Sequence, residues 1–176
     1  MKNNQCLLAI AALAFLTAAA PVLAGSKSDS AKCRAAFERM KTLSGEWRGH
    51  IGQRNQGDEV TVLYKTVAGG SAVVETLFPG TPHEMVTVYH LDGDKLVLTH
   101  YCAAGNQPKM ALTKKSTADA LDFDFVGGTN VNARKGRHMH SARIRFESKD
   151  AIAAEWDSVN DGKMAEQVKF FLARKS

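Results

Sequence analysis

The sequence predicts an all-β fold, an up-and-down antiparallel β-barrel of about ten strands with one N-terminal helix. From Glu46 almost to the C-terminus the apolar residues recur with a period of two, the pattern of half-buried strands. Turn signals at Gly69-Gly70, Asp92-Gly93 and Asn160-Asp161-Gly162 punctuate that alternation. No helical spacing intervenes, so neighbouring strands connect as hairpins, and so many short strands close on themselves to remove free edges. A two-sheet sandwich is the alternative arrangement.

The first residues follow a different pattern. Met1–Gln5 carries one lysine, Cys6–Ala20 is apolar apart from Thr17, and Val22 and Ala24 stand where a signal peptidase reads small or branched side chains. Residues 1–24 are therefore expected to be a cleaved signal peptide, and residues 25–176 a single β-barrel domain. An apolar run of about 15 residues is shorter than the roughly 20 a membrane span requires. Gly25 follows the cleavage point, so no acylated cysteine stands there. The expected destination is the periplasm or the extracellular medium.

After the leader, Asp29 or Ser30 can cap a helix whose apolar face is Cys33, Ala36, Phe37, Met40 and Leu43, ending at Ser44-Gly45. Strands follow at Glu46–Ile51, Val60–Lys65, Ser71–Phe78, Glu84–Leu91, Lys95–Cys102, Lys109–Lys114, Leu121–Phe125, His138–Glu147, Ile152–Trp156 and Val168–Arg174. Residues 104–108 and 127–137 read as loops at a rim. Cleavage leaves two cysteines, and thiols of one exported chain commonly pair. A Cys33–Cys102 disulfide is expected, closing a loop of about 70 residues worth about 4 kcal/mol. Two separate buried thiols are the alternative.

The net charge is +5 at pH 7, spread along the chain apart from Arg134-Lys135-Gly136-Arg137. A solvated loop accounts for that cluster, so no nucleic-acid partner is expected. No Gly-x-Ser-x-Gly, phosphate-binding glycine loop, Cys-x-x-Cys or His-Glu-x-x-His occurs. The chemistry must come from scattered side chains. His138 and His140 alternate in step with Ala142, Ile144 and Phe146, so both imidazoles are expected to point inward, where they could hold a metal or haem iron. The competing expectation is a solvated position at the rim. His100 shares a face with Leu96 and Leu98 in either register of the Glu84–Cys102 hairpin, while His90 does so only if its loop has three residues. Glu75, Tyr89 and Tyr101 complete the candidate pocket polars. The sequence specifies neither a cofactor nor an oligomeric state.

Leu43-Ser44-Gly45-Glu46-Trp47-Arg48-Gly49 resembles the opening of a calycin barrel, the superfamily of lipocalins and fatty-acid-binding proteins. The resemblance implies that Gly45 and Trp47 begin the first strand and that Arg174, on the last, packs across Trp47 and closes the barrel floor. Similar openings occur in nitrobindin-like haem barrels and in bacterial lipocalin-like domains of unknown function, which residues 83–110 resemble most. The function this implies is an exported barrel holding a small apolar or amphipathic molecule inside. The alternatives are a haem or metal barrel using His138, His140 or His100, and an enzyme pairing a pocket histidine with Glu75 or Tyr101.

Overall fold

Strand pairing runs around a closed ring in chain order. The computed structural model describes residues 27–176, so the expected leader lies outside the described residues. Helix α1 (Lys27–Lys41) is followed by β1 (Gly45–Ile51), β2 (Glu59–Val67), β3 (Ala72–Leu77), β4 (Met85–Asp92) and β5 (Lys95–Tyr101). The second half contributes β6 (Gln107–Leu112), β7 (Ala120–Thr129), β8 (Arg137–Phe146), β9 (Ala151–Asn160) and β10 (Lys163–Arg174). All ten strands pair antiparallel with their chain neighbours, and β10 closes the barrel on β1. No edge strand remains within the ring, which answers the aggregation hazard of an open all-β sheet.

Up-and-down connection sorts the loops into two sets. Helix α1 lies across the lower end: Ser30 Oγ is 2.6 Å from Asp94 Oδ1 in the β4–β5 turn, and Lys32 Nζ donates to the Lys114 carbonyl at 2.8 Å. The helix seats Phe37 and Met40 in the same apolar cluster as Leu96, Tyr89 and Phe123 of the strands. The amphipathic face read from the sequence thus serves as a plug, and it buries the end of the barrel that its own loops leave open. Among the described residues no helix covers the upper end.

The β4–β5 hairpin takes the two-residue register, with Asp92 opposite Lys95 and Tyr89 opposite Leu98. Gly93, at the first turn position, has φ +58°, the conformation a type II′ hairpin requires there. This register puts Thr87 and Tyr89 on the interior with His100 and turns His90 outward, beside Val97.

The seam between β1 and β10 is held by side chains from both. The Arg174 guanidinium lies 4.4 Å from the Trp47 ring centroid and donates to the Ser44 and Thr42 carbonyls at 2.8 and 2.7 Å. Trp47 is fully buried, and its indole N–H donates to the Leu43 carbonyl at 2.7 Å. Both glycines of the opening have reasons to be glycine. Gly45 sits at φ +136° with Arg174 Nη1 only 3.0 Å from where a Cβ would stand. A Cβ on Gly49 would fall 1.8 Å from the Phe171 carbonyl oxygen, so only glycine lets β10 approach β1.

Two expectations need correction. Cys33 and Cys102 are both free. Cys33 lies on the helix at the lower end, whereas β5 carries Cys102 to the upper end. A seven-residue strand spans ~20 Å, far beyond the ~7 Å Cα separation a disulfide tolerates. Residues 107–108 and 127–129 belong to strands instead of rim loops. A register shift opposite Lys109 and Met110 leaves Val126 as an extra residue of β7, which lets β6 and β7 stay paired to Gln107 and Thr129.

Candidate functional site

The upper third of β8 decides what faces the interior there. Pairing with β9 is continuous from Phe146 to Ser141, then slips by one residue, so Met139 stands opposite Ser158 and His138 opposite Val159. His140 is the extra residue of this bulge. The slip inverts the alternation above it, and Met139 takes the inward position that unbroken period-two alternation assigns to the imidazoles.

His138 and His140 instead form a cluster with Phe125. Their rings are 4.6 and 5.4 Å from Phe125, and His138 Nε2 is 3.3 Å from His140 Nδ1. His138 is buried and His140 exposed. Burial, with a smaller contribution from its neighbour's charge, lowers the His138 pKa. Among the described residues, no three His, Cys, Asp or Glu side chains converge as metal ligands.

Below the upper rim lies a cavity of about 110 Å³ lined by Leu77, Phe78, Met85, His100, Met139, Trp156, Val168 and Phe170. Leu77, His100, Trp156 and Phe170 are buried and form its floor, while Phe78, Met85, Met139 and Val168 are half-buried and form its rim. Six strands and the β3–β4 loop contribute, so the pocket exists only when the ring is closed. Aside from the Trp156 indole, His100 is the one lining side chain with a polar group.

His100 is held on two sides. Its ring lies 4.9 Å from that of Trp156, and its Nδ1 is 2.9 Å from Thr87 Oγ1. Nε2 is buried and has no hydrogen-bond partner. Burial lowers the pKa of the imidazole to about 4, so it is neutral at pH 7.

Thr87 connects His100 to a second buried group. Glu75, 1% exposed, accepts the hydroxyls of Tyr64 at 2.8 Å and Tyr89 at 2.7 Å. Thr87 stands directly opposite Glu75 in the β3–β4 pair, where its hydroxyl helps to favour the ionised carboxylate. Burial raises the pKa of Glu75, and the three hydroxyls pull it back down. Burial and then the charge of Glu75 push both phenols well above their ordinary range. The barrel interior therefore carries one continuous polar chain, Tyr64 and Tyr89 to Glu75 to Thr87 to His100, embedded in apolar packing.

Of the side chains singled out in the sequence, His100, Glu75 and Tyr89 come together in this chain. Tyr101 does not: it pairs with Val86 on the outer face and is 51% exposed. His90 faces outward with its Nδ1 3.2 Å from the Leu91 carbonyl. Tyr64 and Thr87 of the polar chain, and Met139 at the cavity, are residues that sequence reasoning missed. The hairpin register, once fixed by the Gly93 turn, identifies Thr87. No residue type marks the bulge that turns Met139 inward.

No protein-family model matches the chain, and no curated protein matches it. Among solved structures the chain is similar to a protein of unknown function from the DUF3598 family of Nostoc punctiforme, with 15% sequence identity and a TM-score of 0.50. The match covers 77% of this chain and 49% of that one, so the chain spans about half the length of the structure it resembles. At that identity the likeness speaks for the fold alone, a closed antiparallel barrel.

Proposed function

We propose that the chain is an exported, calycin-like binding protein that takes a small, largely apolar molecule into the upper cavity of its barrel. The observation that carries this reading is His100: a buried ring nitrogen without a partner, at the floor of a cavity whose other walls are almost wholly apolar. Buried acceptors left unsatisfied cost about 1–3 kcal/mol, so a protein that keeps one beside a cavity gains when a ligand supplies the missing bond. The Gly-x-Trp opening with Arg174 across the indole supports the calycin likeness.

The cavity sets the ligand's size. At about 110 Å³ it is smaller than the ~150 Å³ apolar cavity known to admit benzene, and well below the volume a haem macrocycle needs. The ligand is one ring or a short chain, or the end of a longer molecule entering between Phe78 and Met139.

Organic extraction and native mass spectrometry of the purified protein test the reading. A small molecule should be retained, or benzene taken up when offered, and Met139→Trp should abolish both by filling the cavity. A folded protein that neither retains nor takes up any small molecule would overturn it. Export is tested separately: the mature chain should begin at Gly25 and fractionate outside the cytoplasm.

A further inference from the structure

We propose that the ligand is an uncharged molecule bearing a hydrogen-bond donor, of the phenol or short-alcohol class, whose O–H bonds to Nε2 of His100. This rests on the reading of the upper cavity as a ligand site and specifies the chemistry of that site.

The argument follows one proton along the polar chain. A threonine hydroxyl has a single proton to give. We assign that proton to the Glu75 carboxylate, which faces Thr87 across the β3–β4 pair and which Tyr64 and Tyr89 already address as donors at 2.8 and 2.7 Å. The Thr87 oxygen, 2.9 Å from Nδ1 of His100, is then left to accept, so the imidazole proton must sit on Nδ1. A neutral imidazole protonated at Nδ1 carries its lone pair at Nε2, the buried atom with no partner. The site therefore offers an acceptor.

The surroundings restrict the class further. Leu77, Met85, Met139, Val168 and Phe170 bring only hydrocarbon and thioether groups to the cavity, so nothing there neutralises a formal charge on a ligand. A carboxylate or ammonium would enter without a counter-charge. A molecule whose only polar atom is an acceptor would set its lone pair against that of Nε2. A hydroxyl on an apolar body meets both constraints.

Three probes of nearly equal size separate the cases: benzene, phenol and pyridine, offered to the intact folded protein at pH 7.5 and followed by ligand-observed NMR. Phenol should bind about tenfold more tightly than benzene, the worth of one satisfied buried acceptor, and pyridine should bind more weakly than benzene. His100→Leu should retain benzene and lose the preference for phenol. Thr87→Val releases the tautomer while leaving the ring in place, and should reduce the preference without abolishing benzene binding. Long-range proton–nitrogen correlation of the His100 ring reads the tautomer directly, and should find the proton on Nδ1. A proton on Nε2, phenol binding no tighter than benzene, or pyridine binding tighter than phenol would each overturn the proposal while leaving the cavity a ligand site. Failure of all three probes to bind would instead remove the site itself.

Discussion

Arg174 does its work with geometry more than with charge. Its two terminal nitrogens reach the Ser44 and Thr42 carbonyls, where the chain passes from helix to first strand, and its plane covers Trp47. The ion pair to Asp150 at 3.1 Å is half in solvent, where such pairs contribute little. Arg174→Ala should therefore lower stability by about 2–4 kcal/mol, through two orphaned carbonyls and a lost cation–π contact. Arg174→Lys should recover only part of that, because one ammonium cannot serve both carbonyls and the indole face. Urea denaturation of the two variants checks the order. Equal stabilities for Lys and Arg would mean that charge alone matters there. Glu75 presents the opposite case, a charge whose value lies in being surrounded. Three hydroxyls address it, and Glu75→Gln would turn an amide N–H toward one of those donors. The expected cost is about 1–3 kcal/mol, and the same measurement reads it.

At the scale of the element, regular alternation was legible and its interruptions were not. The Asp92-Gly93 turn, the amphipathic face of Cys33, Ala36, Phe37 and Met40, and the Trp47/Arg174 pair all follow from local residue chemistry, and the structure contains each of them. The His140 bulge carries no glycine or proline to announce it, whereas Val126 runs straight into Gly127-Gly128, which read as the start of a loop. What leaves His140 unpaired is its register against β9, a tertiary property that the pattern of one strand does not carry. The His140 bulge is the costliest miss, because one unpaired residue exchanges two imidazoles for Met139 at the cavity rim. Deleting His140 should place Met139 directly beside Ser141, so that β8 pairs continuously with β9 while Met139 still faces inward opposite Ser158. Uptake of benzene by that deletion variant should therefore be kept while the fold persists, as circular dichroism would show. Loss of uptake in a folded variant would mean that the cavity depends on the bulge itself. Tyr101 and His90 illustrate the same limit, since the residue types suited a pocket but their faces were set by a register only the turn decides.

The whole molecule is a ring whose closure joins its first strand to its last, Trp47 opposite Arg174 and Ile51 opposite Phe170. Closing it buries His100 and Glu75 together, so the stability of the barrel depends on pH through both groups with opposite sign. The folded-state pKa of His100 is about 4, against roughly 6.5 for an unfolded histidine. Between those values the unfolded chain binds the extra proton, so stability is fully present above about pH 6.5 and is lost as pH falls toward 4. A difference of about 2.5 pKa units corresponds to roughly 3 kcal/mol. His138 is lowered as well and adds to the loss in the same direction. Glu75 is raised above its unfolded value, so its contribution is present at low pH and is lost as pH rises through its folded pKa. Glu75 opposes His100 wherever its folded carboxyl holds a proton that the unfolded one has lost, so replacing it isolates the histidine contribution. In a Glu75→Gln background the melting temperature should fall as pH drops from about 6.5 to 5. His100→Leu should flatten most of that slope, the remainder belonging to His138. Saturating phenol should carry the loss on to lower pH, since a donor on Nε2 holds the imidazole neutral and the folded pKa drops below about 4. A thermal-melt series across pH in the presence and absence of phenol measures all of these together. A slope that His100→Leu leaves unchanged would show that the imidazole at the cavity floor is not the group that responds to acid.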